Sequence, residues 1–301
     1  MSTDPWFRPQ CTDVTPDGDG WRHTGLRVVT LAAGETYSWH TGGAETLVLP
    51  LSGAGTVDSG GIRVELAGRD DVFAGVSDFC YLPPGVDATL TSTTGGRYAL
   101  PSAPASTGRP IRHQRAEDVP IELRGGGICS RQVNNLAAAD GFDCENLIVV
   151  EVLTPGGNWS SYPPHKHDEV RADETALEEI YYFEVADGGV GYQRVYASDP
   201  DRPIDVLAEV RTGDVVLVPY GWHGPSIAGP AHHLYYLNVM AGPGDERAWR
   251  FRDDPAYAWI RGACNDQPMD PRLPLTGPNP AAARDTDRPA GGGHEHQGEH
   301  S

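Results

Sequence analysis

Glu179-Ile-Tyr-Tyr-Phe-Glu-Val185 and Asp214-Val-Val-Leu-Val-Pro-Tyr-Gly221 decide how this chain folds. Both are short runs of β-branched, aromatic and aliphatic residues. Each is bounded by charge or by Pro and Gly, as strands are. Each also has an earlier counterpart. Glu45-Thr-Leu-Val-Leu-Pro-Leu51 resembles the first at an offset of 134 residues, and Asp78-Phe-Cys-Tyr-Leu-Pro-Pro-Gly85 resembles the second at an offset of 136. Two strand pairs repeated at nearly one offset predict a duplicated β domain.

Working outward, Leu26–Leu31, Ile62–Leu66, Leu147–Leu153, Gly191–Tyr196 and Leu234–Met240 read as further short strands between turn-rich stretches, a spacing that suggests sandwiches or barrels. A polar connector, Ser102–Glu117, separates the copies. The expected organisation is a first domain over 1–117, a second over 118–266, and a Pro-, Gly- and His-containing tail over 267–301 with too little apolar surface to order itself. With 301 residues, 39% hydrophobic, there is enough chain for two cores. The 37 Gly and 26 Pro favour a turn-rich β protein over a helical bundle.

The formal net charge is −19, from 23 basic and 42 acidic residues. That balance speaks against a nucleic-acid partner and against docking on anionic membranes, both of which need clustered cations. No apolar run approaches the roughly 20 residues of a bilayer span, and the N-terminus does not read as a secretory signal. The five cysteines are scattered without a C-x-x-C pair, so reduced thiols in a cytoplasmic protein are expected.

Chemistry concentrates in the second copy. His165-Lys166-His167 precedes Glu179, and Pro219-Tyr-Gly-Trp-His223 follows. Residues i and i+2 of a strand share a face, so His165 and His167 point together while Lys166, the only lysine of the chain, points away. A Schiff-base role for Lys166 is disfavoured on that ground. Glu179 opens a strand whose same-face residues are Tyr181 and Phe183. Three imidazoles and a carboxylate suit a divalent first-row metal with positions left open for substrate. Any one of these residues alone would be ordinary surface or core polarity; their combination is the signal.

The set resembles the cupin superfamily, double-stranded β-helix barrels whose metal is held by His, His, Glu and His. Two departures stand out: an eleven-residue insertion, Asp168–Glu178, between the second His and the Glu, and a Pro-to-His spacing one residue shorter than usual. The insertion leaves Glu178 as a rival to Glu179; Glu179 is preferred for its face and because Glu45 stands as its counterpart. In the first copy Ser38-Trp-His40 takes the place of His165–His167 and Asp87 that of His223, so this copy resembles a cupin with a degenerate site.

The strings Tyr162-Pro-Pro-His-Lys-His-Asp168, Leu177-Glu-Glu-Ile-Tyr-Tyr182, Gln193-Arg-Val-Tyr196 and Leu234-Tyr-Tyr-Leu-Asn-Val-Met-Ala-Gly-Pro243 are similar to the 5-deoxy-glucuronate isomerase family of myo-inositol catabolism. Cys129-Ser-Arg-Gln-Val133 and Asp254-Pro-Ala-Tyr-Ala-Trp-Ile260 extend the likeness, which spans about residues 20–263. The resemblance implies an all-β protein of two cupin barrels in tandem, and an intramolecular aldose–ketose isomerisation of 5-deoxy-D-glucuronate to 5-dehydro-2-deoxy-D-gluconate. It also implies a divalent metal on His165, His167, Glu179 and His223. Zn²⁺ is the expected ion, and Mn²⁺, Fe²⁺, Co²⁺ or Ni²⁺ would accept similar ligands. The metal is expected to polarise the carbonyl and its neighbouring hydroxyl, with Glu178 or His233 as candidate base. Arg194 is the first candidate to hold the substrate carboxylate, ahead of Arg131, Tyr182 and Tyr235. A 4-deoxy-5-ketouronate isomerase, a non-haem metal dioxygenase and a non-catalytic sugar-binding cupin are the competing readings. The expected partner is a small sugar acid, with self-association into a homo-oligomer left open by the exposed sheet edges.

Overall fold

The structure, a computed structural model, describes residues 5–16, 20–139, 141–244 and 246–276. Two β units carry it. In the second, a seven-stranded sheet runs in the order Phe7–Arg8, Val215–Val218, Glu178–Val185, Leu234–Ala241, Ile148–Thr154, Arg131–Ala137 and Ile121–Arg124. A facing sheet contains Asp205–Val210, Gly191–Tyr196, Trp222–Ala228, His165–Lys166 and Arg252–Asp253, with Trp159–Ser160 added beside Trp222–Ala228. The first unit is built on the long strand Ala44–Ser59, which pairs with Ile62–Arg69, Phe79–Leu82, Asp87–Ser92 and Gly96–Pro104.

The apolar runs that mark the repeat fail to alternate because both of their faces are buried. Val48, Cys80, Leu82 and Tyr98 fill the interior of the first unit. Their sequence neighbours Leu47, Leu49, Phe79 and Tyr81 face the other way, into a seam shared with Ile180, Tyr182, Leu217, Tyr235 and Leu237 of the second unit. Tyr181, Phe183, Val216, Val218, Tyr236 and Met240 then fill the second interior. Ion pairs cross the seam as well: Arg69 of the first unit meets Glu151 of the second, both buried, and the half-buried Arg97 donates to Glu184 at 2.8 Å and to the Tyr182 hydroxyl at 3.1 Å.

Three expectations need correction. Strand Phe7–Arg8 pairs with Val215 and Val216, so the first residues of the presumed N-terminal domain belong to the second unit's sheet. The tail is folded at its start: Asp270 N donates to Ser130 Oγ at 3.0 Å and Leu275 N to Gln132 Oε1 at 3.0 Å, which stitches the chain to the second unit. The remainder of the expected disordered tail, residues 277–301, lies outside the described residues. The cysteines are not all free, because Cys129 and Cys264 are paired as a disulfide while Cys11, Cys80 and Cys144 remain thiols.

Candidate metal centre

His165 and His223 are direct cross-strand partners in the smaller sheet of the second unit. Their ring centroids lie 4.4 Å apart, and that of His167 lies 4.7 Å from His223. The ligand nitrogens of all three fall within 4.8 Å of one another, and this is the group of that kind found among the described residues. Glu179 arrives from the opposite sheet, with Oε2 3.1 Å from His167 Nε2 and 3.1 Å from His223 Nε2. All four side chains are buried.

Backbone contacts fix which nitrogen each ring offers. The Nδ1 atoms of His165, His167 and His223 lie 3.3, 3.2 and 3.2 Å from the carbonyl oxygens of Pro163, Leu177 and Gly221. Donating there orients each ring and presents Nε2 to the centre, the arrangement that metal-binding histidines use. Gly221 supplies the turn into His223: its φ is +92°, and a Cβ would lie 2.6 Å from the Tyr196 carbonyl oxygen.

The insertion that breaks the usual spacing folds back on itself. Leu177 N donates to His167 O at 2.8 Å, returning the chain to the site just before Glu179. Lys166 points away from its flanking histidines and donates to Asp168 at 2.6 Å and to Glu174 at 2.8 Å. Asp168 in turn accepts from Gly221 N at 2.9 Å. A length of eleven residues therefore costs the ligand geometry nothing, because its two ends are tied together.

The electrostatics suit a cation. Burial would raise the Glu179 carboxyl, but hydrogen bonds from His167 and His223 hold it down at about 2, so it is ionised. Burial, reinforced by the two neighbouring imidazoles, holds His165 well below its usual value and hence neutral. Burial opposes the charged form of His167 too, but the Glu179 carboxylate outweighs it and lifts that ring. Glu179 Oε1 is buried without a hydrogen-bond partner among the described residues. A lone pair left over on a buried carboxylate beside three Nε2 atoms fits a divalent ion.

The other candidate residues divide sharply. Glu178 points to the seam, where it accepts from Arg22 N at 2.8 Å and His23 N at 2.7 Å, so it has no access to the centre as a base. His233 is a second correction. It precedes Leu234, whose strand reaches Met240 before pairing with Glu179, which puts it roughly 20 Å away at the other end of the strand. Tyr182 and Tyr235 face the seam, bound to Glu184 and Glu151 respectively. Arg194 lies on the outer face, donating to the Val195 and Val206 carbonyls and paired with Asp205. Arg131 alone of the proposed carboxylate partners reaches the interior: it lines a cavity with His165, Tyr181, Tyr236, Asn238 and Trp249. The sequence reading missed Asn238 and Trp249. Asn238 had left a sign, as the one polar side chain inside the apolar run Leu234–Ala241 that is not a tyrosine.

Among the described residues the first unit gathers no such set. His40 and Asp87 are register partners, and both are exposed. Glu45 is fully buried and turned to the seam, where it accepts from the amides of Glu145, Asn146 and Leu147.

A paired-β protein with a buried His-His-Glu-His cluster between the sheets of its second half is a cupin with a metal-type ligand set. More narrowly, the chain belongs to the KduI/IolB family, which it matches over residues 7–260. A 5-deoxy-glucuronate isomerase of Geobacillus kaustophilus is 41% identical over 251 residues, covering 82% of this chain and 89% of the relative. One from Bacillus subtilis strain 168 is 37% identical over 252 residues, covering 82% and 91%. Among solved structures, an IolB-like protein from Salmonella typhimurium LT2 superposes with a TM-score of 0.78 at 34% identity, over 85% of this chain and 98% of the other. Oxalate decarboxylase from Lactobacillus farciminis shares the fold alone, with a TM-score of 0.54 and 12% identity over 77% of this chain and 79% of its own.

Proposed function

We propose that the protein is a metal-dependent isomerase converting 5-deoxy-D-glucuronate to 5-dehydro-2-deoxy-D-gluconate, an aldose–ketose step of myo-inositol breakdown. The observation that carries the reading is the convergence of His165, His167, Glu179 and His223 in a chain 41% identical to a 5-deoxy-glucuronate isomerase over 89% of that enzyme. The reading assigns the protein to the cytoplasm, with a small sugar acid as its partner and neither nucleic acid nor membrane.

These four side chains would hold the ion, Zn²⁺ being the expected one. When bound, it supplies a Lewis acid for a carbonyl oxygen and the adjacent hydroxyl. The chain's own residues do the rest. Arg131, half-buried and paired with no carboxylate among the described residues, receives the substrate carboxylate through its planar fork. Phe251 lies against the His165 ring, with centroids 4.8 Å apart, and keeps water from that side of the centre. Burial raises the Tyr181 phenol well above its usual value, so Tyr181 holds its proton at the hydroxyl, within 3.1 Å of Ser161 Oγ, and serves as a donor and not as a base.

The test is turnover of 5-deoxy-glucuronate by the full chain before and after chelation, with single metals added back. Loss on chelation and recovery with one divalent ion is expected. Full activity with the metal removed would overturn metal dependence. Oxygen consumption without isomerisation would favour the dioxygenase reading, and binding without turnover the sugar-binding one.

A further inference from the structure

We infer that Asn238 and Trp249 determine substrate specificity by donating hydrogen bonds to the hydroxyls lying between the two ends of the sugar acid. This rests on the cavity being the isomerase site. Along strand Leu234–Ala241, Tyr236, Asn238 and Met240 face the interior while Tyr235, Leu237 and Val239 face the seam. Met240 is the register partner of Glu179 and Asn238 that of Tyr181. Asn238 therefore stands one pleat, about 7 Å, from the level of the metal-type ligands. The next interior residue, Tyr236, lines the same cavity as Arg131. A six-carbon acid with its carbonyl at the His-Glu cluster and its carboxylate at Arg131 would pass Asn238 on the way.

Both side chains carry an unspent donor. Asn238 is 2% exposed, and its Nδ2 has no hydrogen-bond partner among the described residues; neither has Trp249 Nε1. Buried polar atoms are nearly always paired, so two orphans on one cavity mark where a ligand's acceptors belong. Both are donors that suit hydroxyl oxygens, and Trp249 faces the cavity from outside the strand that carries Asn238. Beside them Val133 and Val152, register partners across the sheet, present only methyl groups. The cavity thus offers donors for hydroxyls and an apolar wall for a methylene, the pattern of a sugar acid that lacks one hydroxyl.

The experiment compares wild type, Asn238→Leu and Trp249→Phe in three readouts: kcat/KM on 5-deoxy-glucuronate, bound metal per chain, and Tm. Expected is a fall in kcat/KM of about 30-fold or more for Asn238→Leu and about 10-fold for Trp249→Phe, with metal content unchanged. The Tm of Asn238→Leu should hold or rise, since an unpaired buried amide is replaced by an apolar group of similar size. An active wild type whose variants stay within about 2-fold of it overturns the inference alone. So does a loss of activity that comes with lost metal and a lower Tm, which is the mark of a packing role. A wild type that does not isomerise this substrate overturns the assigned reaction and the inference together.

Discussion

Glu45 and Glu178 hold the same place in the two halves, and each clamps backbone amides of the other half. Thr46 pairs with Leu82 just before Pro83-Pro-Gly85, as Glu179 pairs with Val218 just before Pro219-Tyr-Gly221. Thr46 is thus the counterpart of Glu179, and Glu45 that of Glu178. Glu45 accepts from the amides of residues 145–147 and Glu178 from those of residues 22 and 23. Adjacent glutamates in one strand, Glu178 and Glu179, have therefore divided two tasks: one fastens the seam and one faces the metal-type cluster.

That division predicts opposite phenotypes for neighbouring substitutions. Glu178→Ala strands two amide donors at the seam and should cost about 1–3 kcal/mol of stability while leaving metal content intact. Glu179→Ala should remove most of the bound metal. Its Tm in the presence of chelator should fall less than that of Glu178→Ala, because it also relieves a buried charge. Thermal melts and metal analysis on both variants decide it; metal loss in Glu178→Ala would return that residue to the site.

The repeat and the ligand set were legible because both are written in short-range pattern: the i, i+2 spacing of His165 and His167, and two strand strings at nearly one offset. What stayed hidden is which face of a doubly buried strand is which. In Ile180-Tyr-Tyr-Phe183 and Leu234-Tyr-Tyr-Leu237 every position is apolar or aromatic, so nothing local separates Tyr181 from Tyr182 or Tyr236 from Tyr235. In both runs the residue chosen for the substrate lies one position from the interior. Glu45 was set against Glu179 for the same reason, as a one-residue slip in an apolar string looks harmless in sequence and turns a side chain from barrel interior to seam.

Arg131 and Arg194 should separate cleanly in kinetics. Burial, with Arg124 and Arg261 nearby, pushes the Arg131 guanidinium down to about 10. A base whose folded value is depressed destabilises the fold wherever it is charged, here at every pH below about 10, and the cost lifts only as pH rises past that point. A bound carboxylate relieves it. Arg131→Met should thus raise the Tm of the ligand-free protein, abolish the Tm increase caused by the uronate, and raise KM about 10-fold or more. In wild type, KM should show no dependence on this group between about pH 6 and 9. Arg194→Met, on the outer face, should leave KM unchanged; a KM rise there with none in Arg131→Met would reverse the assignment.

Arg69 and Glu151 predict that the halves unfold together. The pair is buried on both sides, and Tyr235 adds a 2.9 Å hydrogen bond to the same carboxylate. Arg69→Leu leaves Glu151 charged inside the seam and should cost about 3–5 kcal/mol. Calorimetry should show one transition in wild type. Two separated transitions in wild type would refute the coupling.

Lys166 offers the sharpest contrast between a catalytic and a supporting lysine. Burial disfavours its charge, but the hydrogen bonds it donates to the Asp168 and Glu174 carboxylates outweigh that and raise its pKa, so the side chain is an ammonium with no free lone pair to attack an aldehyde. Its carboxylate partners are themselves tied in: Asp168 holds Gly221 N two residues before His223, and Glu174 accepts from the amides of Asp168 and Glu169. Lys166→Met removes the cation from two buried carboxylates and should cost about 3–5 kcal/mol. It should also weaken metal binding about 10-fold or more, because the insertion would no longer hold His167 and His223 in register. Borohydride in the presence of the substrate should leave wild type fully active and its mass unchanged. A reduced adduct on Lys166 would overturn the supporting role, and a Lys166→Met variant of wild-type Tm and metal affinity would show that the network holds nothing in place.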